Sequence, residues 1–138
     1  MNIFLSDASA ESPKVKIGDF GLACKLGEDE CIKKMAGTIG FMAPEVVQDE
    51  PSDFKSDIWS LGVILYALIG SGVPFSGRDR ETTAQNIVSQ PLSFQRSVWQ
   101  SVSDECKDLL TQMLHKDQDT RIDIQQVLQH PWFTALKK

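Results

Sequence analysis

The sequence predicts a mainly α fold that opens with a short β-hairpin. Two brief apolar runs, Asn2 to Leu5 and Lys14 to Gly18, flank the turn-rich stretch SDASAESP, a pattern that suits two strands joined by a reversal. The run IWSLGVILYALI, Ile58 to Ile69, is apolar on every helical face, which predicts a central helix buried all round. Apolar residues recur at helical spacing again in SDECKDLLTQMLHK and RIDIQQVLQHPWF, so the C-terminal two-thirds is expected to be mostly helical.

The elements follow in order. Asp57 stands just before the central helix and is the expected N-cap. That helix is too short to span a bilayer, which needs about 20 apolar residues. After the loop GSGVPFSGRDRE, a weakly amphipathic helix is expected over Thr82 to Ser89, ended by Pro91. Ser103 starts a stronger one, with Cys106, Leu109, Leu110, Met113 and Leu114 on one face. Ile122, Ile124, Val127 and Leu128 place a last helix that stops before Pro131. His130 then reads as a helix-end residue, and Trp59, Trp132 and Phe133 as core aromatics.

Bulk properties bound the function. The chain has 138 residues, enough for one domain that buries roughly 70% of its unfolded surface. It carries 14 Lys and Arg against 19 Asp and Glu, for a net charge of -5. Without a basic cluster it lacks the means to neutralise a nucleic-acid backbone, so nucleic acid is set aside as a partner. Cys24, Cys31 and Cys106 show no metal-ligand or disulfide spacing and read as free thiols. The start, MNIFLSDASAESPKVK, has no secretory pattern. A cytoplasmic protein with no membrane partner is the expectation.

Two triplets carry chemistry. Asp19-Phe20-Gly21 follows an apolar strand and Ala43-Pro44-Glu45 precedes the central helix, with GTIGFMAPE, SDIWSLGVILYALI, PFSG and TRIDIQQVLQHPWF in fixed order around them. A D-F-G triplet alone is weak. The ordered set resembles the protein kinase family, with the triplets as the bounds of an activation segment, 19–45. The resemblance runs from Asn2 to Phe133 and implies the family's large C-terminal lobe, from the end of the catalytic loop through the last helix, over residues 1–138. FQRSVWQSVSDECKDLLTQML resembles most the calcium/calmodulin-dependent kinase group.

The resemblance implies a serine/threonine protein kinase that uses ATP and Mg2+ to phosphorylate a protein substrate. Phosphoryl transfer depends on positioning and charge neutralisation, for which magnesium needs hard oxygen ligands. Asp19 matches the family's metal-binding Asp, and Asn2 the Asn that ends the catalytic loop. Phe4 and Gly18 match nucleotide neighbours, although core packing for Phe4 and a tolerated strand glycine for Gly18 remain open. Gly37, Thr38 and Phe41 match the pocket beside the phosphoacceptor, and the Gly-Thr pair resembles that of serine/threonine kinases. Thr38 is the only Ser or Thr between the triplets, so Glu28, Asp29 and Glu30 either supply standing charge to the loop or simply line a solvated segment.

Glu45 and Arg121 match a buried structural ion pair, and Asp57 a structural residue that takes bonds from the catalytic loop. Ala67 and Gly40 stand where several kinases that prefer basic substrates carry a carboxylate, which argues against that preference here. The sequence contains no Gly-rich loop, no strand Lys with its partner Glu and no H-R-D segment. The small lobe and catalytic base are therefore expected outside these residues, the chain alone is expected to be inactive, and its expected partners besides the protein substrate are a missing N-terminal kinase segment or a regulatory partner. A large exposed apolar patch should then mark the uncovered side of the central helix. The rival reading is a noncatalytic, kinase-derived interaction module.

Overall fold

A computed structural model describes residues 2–6, 14–23 and 37–135. It is mostly helical, with one antiparallel hairpin at the N-terminus. Strands β1 (Ile3–Leu5) and β2 (Val15–Ile17) pair in the register Ile3 to Ile17, Phe4 to Lys16 and Leu5 to Val15. A backbone bond from Gly18 N–H to the Asn2 carbonyl, 2.9 Å, extends the ladder one step. That step puts Asn2 and Asp19 at the same end of the hairpin.

A 3-10 turn, Ile39–Phe41, leads into the short helix α1 (Pro44–Val47), whose proline occupies the first turn, where a missing N–H costs nothing. Helix α2 (Lys55–Gly70) runs through the middle of the molecule. It begins before the position expected from the sequence: Asp57 lies in the first turn, and Asp53 Oδ1 accepts the Lys55 N–H at 2.7 Å. The carboxylate of Asp57 in that turn still complements the positive end of the helix.

Helix α2 is buried on one face only, which corrects the expectation of burial all round. Ile58, Trp59, Gly62, Val63, Tyr66 and Gly70 are buried, whereas Leu61 and Leu68 are 42% and 78% exposed. The buried face meets helix α4 (Asp104–Met113) and the two 3-10 turns; no described residue covers Leu68. Gly62 lets α2 approach closely, because a Cβ there would stand 3.0 Å from Leu114 Cδ2 and Met113 Cβ.

Helix α3 (Arg80–Ser89) starts two residues earlier than expected because Asp79 caps it, its carboxylate accepting the Thr82 N–H at 2.7 Å. Its C-terminus is followed by an extended Gln90, the conformation that Pro91 favours. A second 3-10 turn, Ser97–Ser101, delivers Trp99 to the core, packed against Tyr66 at 4.5 Å and Phe94 at 4.9 Å between ring centres. In α4 the Ser103 hydroxyl accepts the Cys106 N–H at 3.3 Å, and Cys106, Leu109, Leu110, Met113 and Leu114 are all buried, as their spacing predicts.

Helix α5 (Ile124–Gln129) opens with a reciprocal capping box between Asp123 and Gln126. The box fixes the helix start, so Ile122 is buried ahead of it, while Ile124 and Leu128 face outward. His130 ends α5, and a further short helix, α6 (Pro131–Ala135), follows at once. Trp132 and Phe133 are half-buried against the cluster of Ile58, Leu109, Met113, Ile122 and Val127. Trp59 is fully buried and stacks on Phe75 at 5.4 Å.

Ser71 ends α2 in the left-handed region, φ 55, which strains a residue bearing a Cβ. Ser71→Gly should therefore stabilise the protein by about 1 kcal/mol, read as a higher thermal unfolding midpoint; a lower midpoint would show that the serine side chain contributes more than the strain removes.

Candidate functional site

The hairpin builds the first half of the site. Asp19 follows β2 in the left-handed region, φ 64, a conformation a non-glycine residue adopts only under local constraint. Its Oδ1 accepts the Gly21 N–H at 3.3 Å, closing a turn, while Oδ2 accepts from Asn2 Nδ2 at 3.4 Å. Both side chains are exposed. Two oxygen-bearing groups thus converge from opposite strands at an accessible edge. Among the described residues no cluster of three or more His, Cys, Asp or Glu could hold a metal.

Phe4 and Gly18 lie face to face. Phe4 is 54% exposed, so core packing does not describe it. A Cβ at Gly18 would stand 2.7 Å from Phe4 Cε2, so the exposed ring would have to shift to admit a side chain there. Phe20 and Leu22 are largely exposed as well. A methyl group at Gly37 would sit 4.0 Å from Leu22 Cδ1 and 3.7 Å from Met42 Cε, so Leu22, in the turn after the D-F-G triplet, lies near the Gly-Thr segment.

Gly37 takes φ 112, open only to glycine without strain. Thr38 and Phe41, both exposed, bracket the 3-10 turn, and the Thr38 hydroxyl makes no hydrogen bond among the described residues. A Cβ at Gly40 would meet Val73 Cγ2 at 3.8 Å, an apolar neighbour. Cys24, Glu28, Asp29, Glu30 and Cys31 fall outside the described residues. Cys106 is a buried free thiol, and burial pushes its pKa up, away from reactivity. Ala67 is half-buried on α2.

Below the turn, the structure brings Glu45 and Arg121 together. Arg121 Nη1 and Nη2 donate to Glu45 Oε1 and Oε2 at 2.7 and 2.8 Å, and both residues are buried. Burial alone would raise the Glu45 pKa, but the bonds from Arg121 and from the Ser56 hydroxyl outweigh it and hold the carboxyl below its ordinary value. Asp57, by contrast, is exposed and makes no side-chain hydrogen bond among the described residues.

Three contributors were not legible in the sequence. Ser56 completes the Glu45 cage, Trp99 fills the core, and Lys116 lies with its ammonium 3.4 Å from the Phe75 ring centre, donating to the carbonyls of Asn86 and Ile87. Burial, then the neighbouring Arg121, pushes the Lys116 pKa down to about 8. His130, buried, contacts Asp108 Oδ2 at 3.1 Å, and His115 contacts the Asp117 carbonyl at 3.2 Å.

The protein kinase domain model matches residues 1–133, and the chain belongs to the protein kinase family. Among relatives, it is 38% identical over 131 residues to Serine/threonine-protein kinase PEPKR2 of Arabidopsis thaliana, covering 95% of this chain and 27% of that protein. It is 37% identical over 135 residues to Death-associated protein kinase 2 of Homo sapiens, covering 98% and 36%. It is 43% identical over 122 residues to Myosin light chain kinase 2, skeletal/cardiac muscle, of Mus musculus, covering 88% and 20%. The chain therefore spans between a fifth and about a third of the length of these relatives. They agree with the resemblance to the calcium/calmodulin-dependent group. No helix among the described residues is long and apolar enough to cross a membrane.

Arg121→Ala leaves Glu45 buried and unpaired, and should destabilise the protein by about 3–5 kcal/mol in denaturant unfolding at pH 7. The lowered Glu45 pKa gives stability that is present above the ordinary carboxylate value and lost as pH falls through the folded value. In the variant, burial without Arg121 raises the same pKa, so the gap between parent and variant should narrow on acidification. A gap that is small at pH 7, or that widens toward acid, would show that the pair is not what holds this region.

Proposed function

We propose that the chain is part of a serine/threonine protein kinase that transfers the γ-phosphoryl group of ATP to a protein hydroxyl with Mg2+. The observation that carries this reading is the convergence of Asn2 and Asp19, 3.4 Å apart at an exposed edge, within a chain of the protein kinase family.

The donor set fits magnesium. A carboxylate oxygen and an amide oxygen are hard ligands, and two protein ligands suffice for an ion that keeps several waters and binds substrate phosphates. Asp19 would hold the ion through its carboxylate, and Asn2 through its amide oxygen once its Nδ2 releases Asp19. Bound there, the ion would neutralise charge on the phosphates during transfer. The left-handed backbone at Asp19 and the bond from Gly21 N–H fix the direction of the carboxylate before any ligand arrives. Phe4 and Gly18, adjacent to these ligands, would offer an apolar surface to the nucleotide base.

On the substrate side, Gly37, Thr38 and Phe41 would line the pocket for the residue after the phosphoacceptor, with the Thr38 hydroxyl free to orient the acceptor end. Gly40 faces Val73 rather than a carboxylate, which supports a substrate that does not depend on a basic residue there. A protein of the calcium/calmodulin-dependent kinase group, acting inside the cell on a protein substrate, is the fullest form of this reading. The proton acceptor for the hydroxyl is not assigned to any residue of this chain.

The test uses the complete protein from its natural source, its extent first fixed by intact mass and peptide mapping. Phosphate transfer from labelled ATP to serine- and threonine-containing peptides is expected, with Asp19→Ala lowering kcat by at least about 100-fold, since metal-assisted charge stabilisation is worth several kcal/mol. The fold of the variant should survive, because Asp19 is exposed and outside the core. Parent-like turnover in Asp19→Ala would overturn the metal-ligand assignment.

A further inference from the structure

The 3-10 turn that presents Thr38 and Phe41 is held by two backbone bonds of its own. Its internal bonds run from Phe41 N–H to the Thr38 carbonyl and from Met42 N–H to the Ile39 carbonyl, each 3.0 Å. No side chain caps it. Upstream stands Gly37 in a conformation that strains any other residue; downstream, Met42 and Ala43 are buried.

One side chain reaches the turn from elsewhere. Ser60, in the second turn of α2, places its Oγ 2.8 Å from the Phe41 carbonyl oxygen and 3.2 Å from the Ser56 carbonyl. A hydroxyl has a single proton to donate. The shorter contact leads out of the helix to Phe41, and Ser56 lies at the i−4 position that already serves the helix backbone. Among the described residues this is the only side-chain hydrogen bond made to residues 37–42. It joins the turn to α2, whose buried face carries Trp59 and Val63 into the core.

We propose that Ser60 is a positioning residue for the protein substrate: by holding the Phe41 carbonyl it fixes the wall formed by Gly37, Thr38 and Phe41. The inference rests on the function proposed above. Ser60 touches neither nucleotide nor acceptor hydroxyl in this role, so its effect falls on the binding of the peptide and not on the chemical step.

Steady-state kinetics on the complete protein, with ATP and a serine peptide chosen from a degenerate peptide array, test this. Ser60→Ala should raise KM for the peptide about 3- to 10-fold, the worth of one hydrogen bond. In the same variant, kcat and KM for ATP should stay within about twofold of the parent, the signature of lost substrate positioning. Ser60→Thr keeps the hydroxyl and should restore the peptide KM. An unchanged peptide KM in Ser60→Ala, a loss confined to kcat, or an equal rise in the threonine variant would each overturn the inference while leaving an active parent kinase intact. A parent that transfers no phosphate would instead remove the proposed function, and this inference with it.

Discussion

The contact on which the rest depends is the buried bidentate pair of Arg121 and Glu45. A guanidinium has five N–H donors and no acceptor, so burying it demands five partners. Arg121 meets them with Glu45 Oε1 and Oε2, the carbonyls of Lys55 and His115, and a longer contact to the Lys116 carbonyl at 3.4 Å. One side chain thereby joins α1, the start of α2 and the loop ahead of α5. Trp59 closes the cage from the side, its ring centre 5.1 Å from the guanidinium carbon. Such a pair repays its desolvation only with this degree of satisfaction, and it sits directly beneath the segment that presents Thr38 and Phe41.

A second cation tightens the same region. Lys116 stands beside Arg121 over Phe75, and its ammonium meets carbonyls at the C-terminal end of α3, where positive charge suits the helix dipole. Burial, then the charge of Arg121, pushes the Lys116 pKa down to about 8, whereas the bonds from Arg121 and Ser56 hold the Glu45 carboxyl below its ordinary value. The two cations link α1, α2, α3 and the α4–α5 loop into one frame.

The hairpin is different in kind. Its strands are three residues each and every residue in them is exposed, so it contributes register but little burial. What it supplies is geometry: antiparallel pairing carries two residues distant in the chain to one end. A shift of register by a single residue would send Asn2 away from Asp19. Ile3, Leu5, Val15 and Ile17 of the hairpin are exposed, and so are Leu61 and Leu68 on α2, the helix for which an uncovered apolar side was expected.

The residues by themselves determined what is local. Capping by Ser103, the stripe of Cys106 to Leu114, the stop before Pro131 and the hairpin strands all depend on hydrogen bonds and periodicities within a few positions, and these were legible. The D-F-G and A-P-E triplets were legible as a family pattern, which is how Asn2, Asp19, Glu45 and Arg121 were singled out. Tertiary structure decided which faces are buried and which groups meet. Leu61 and Leu68 are as apolar as Val63, yet only the neighbours packed against α2 determine which of them loses contact with water. Glu45 and Arg121 are 76 residues apart, and Ser60 reaches Phe41 across 19; contacts at such separations follow from how helices pack, which no short-range pattern in the sequence encodes.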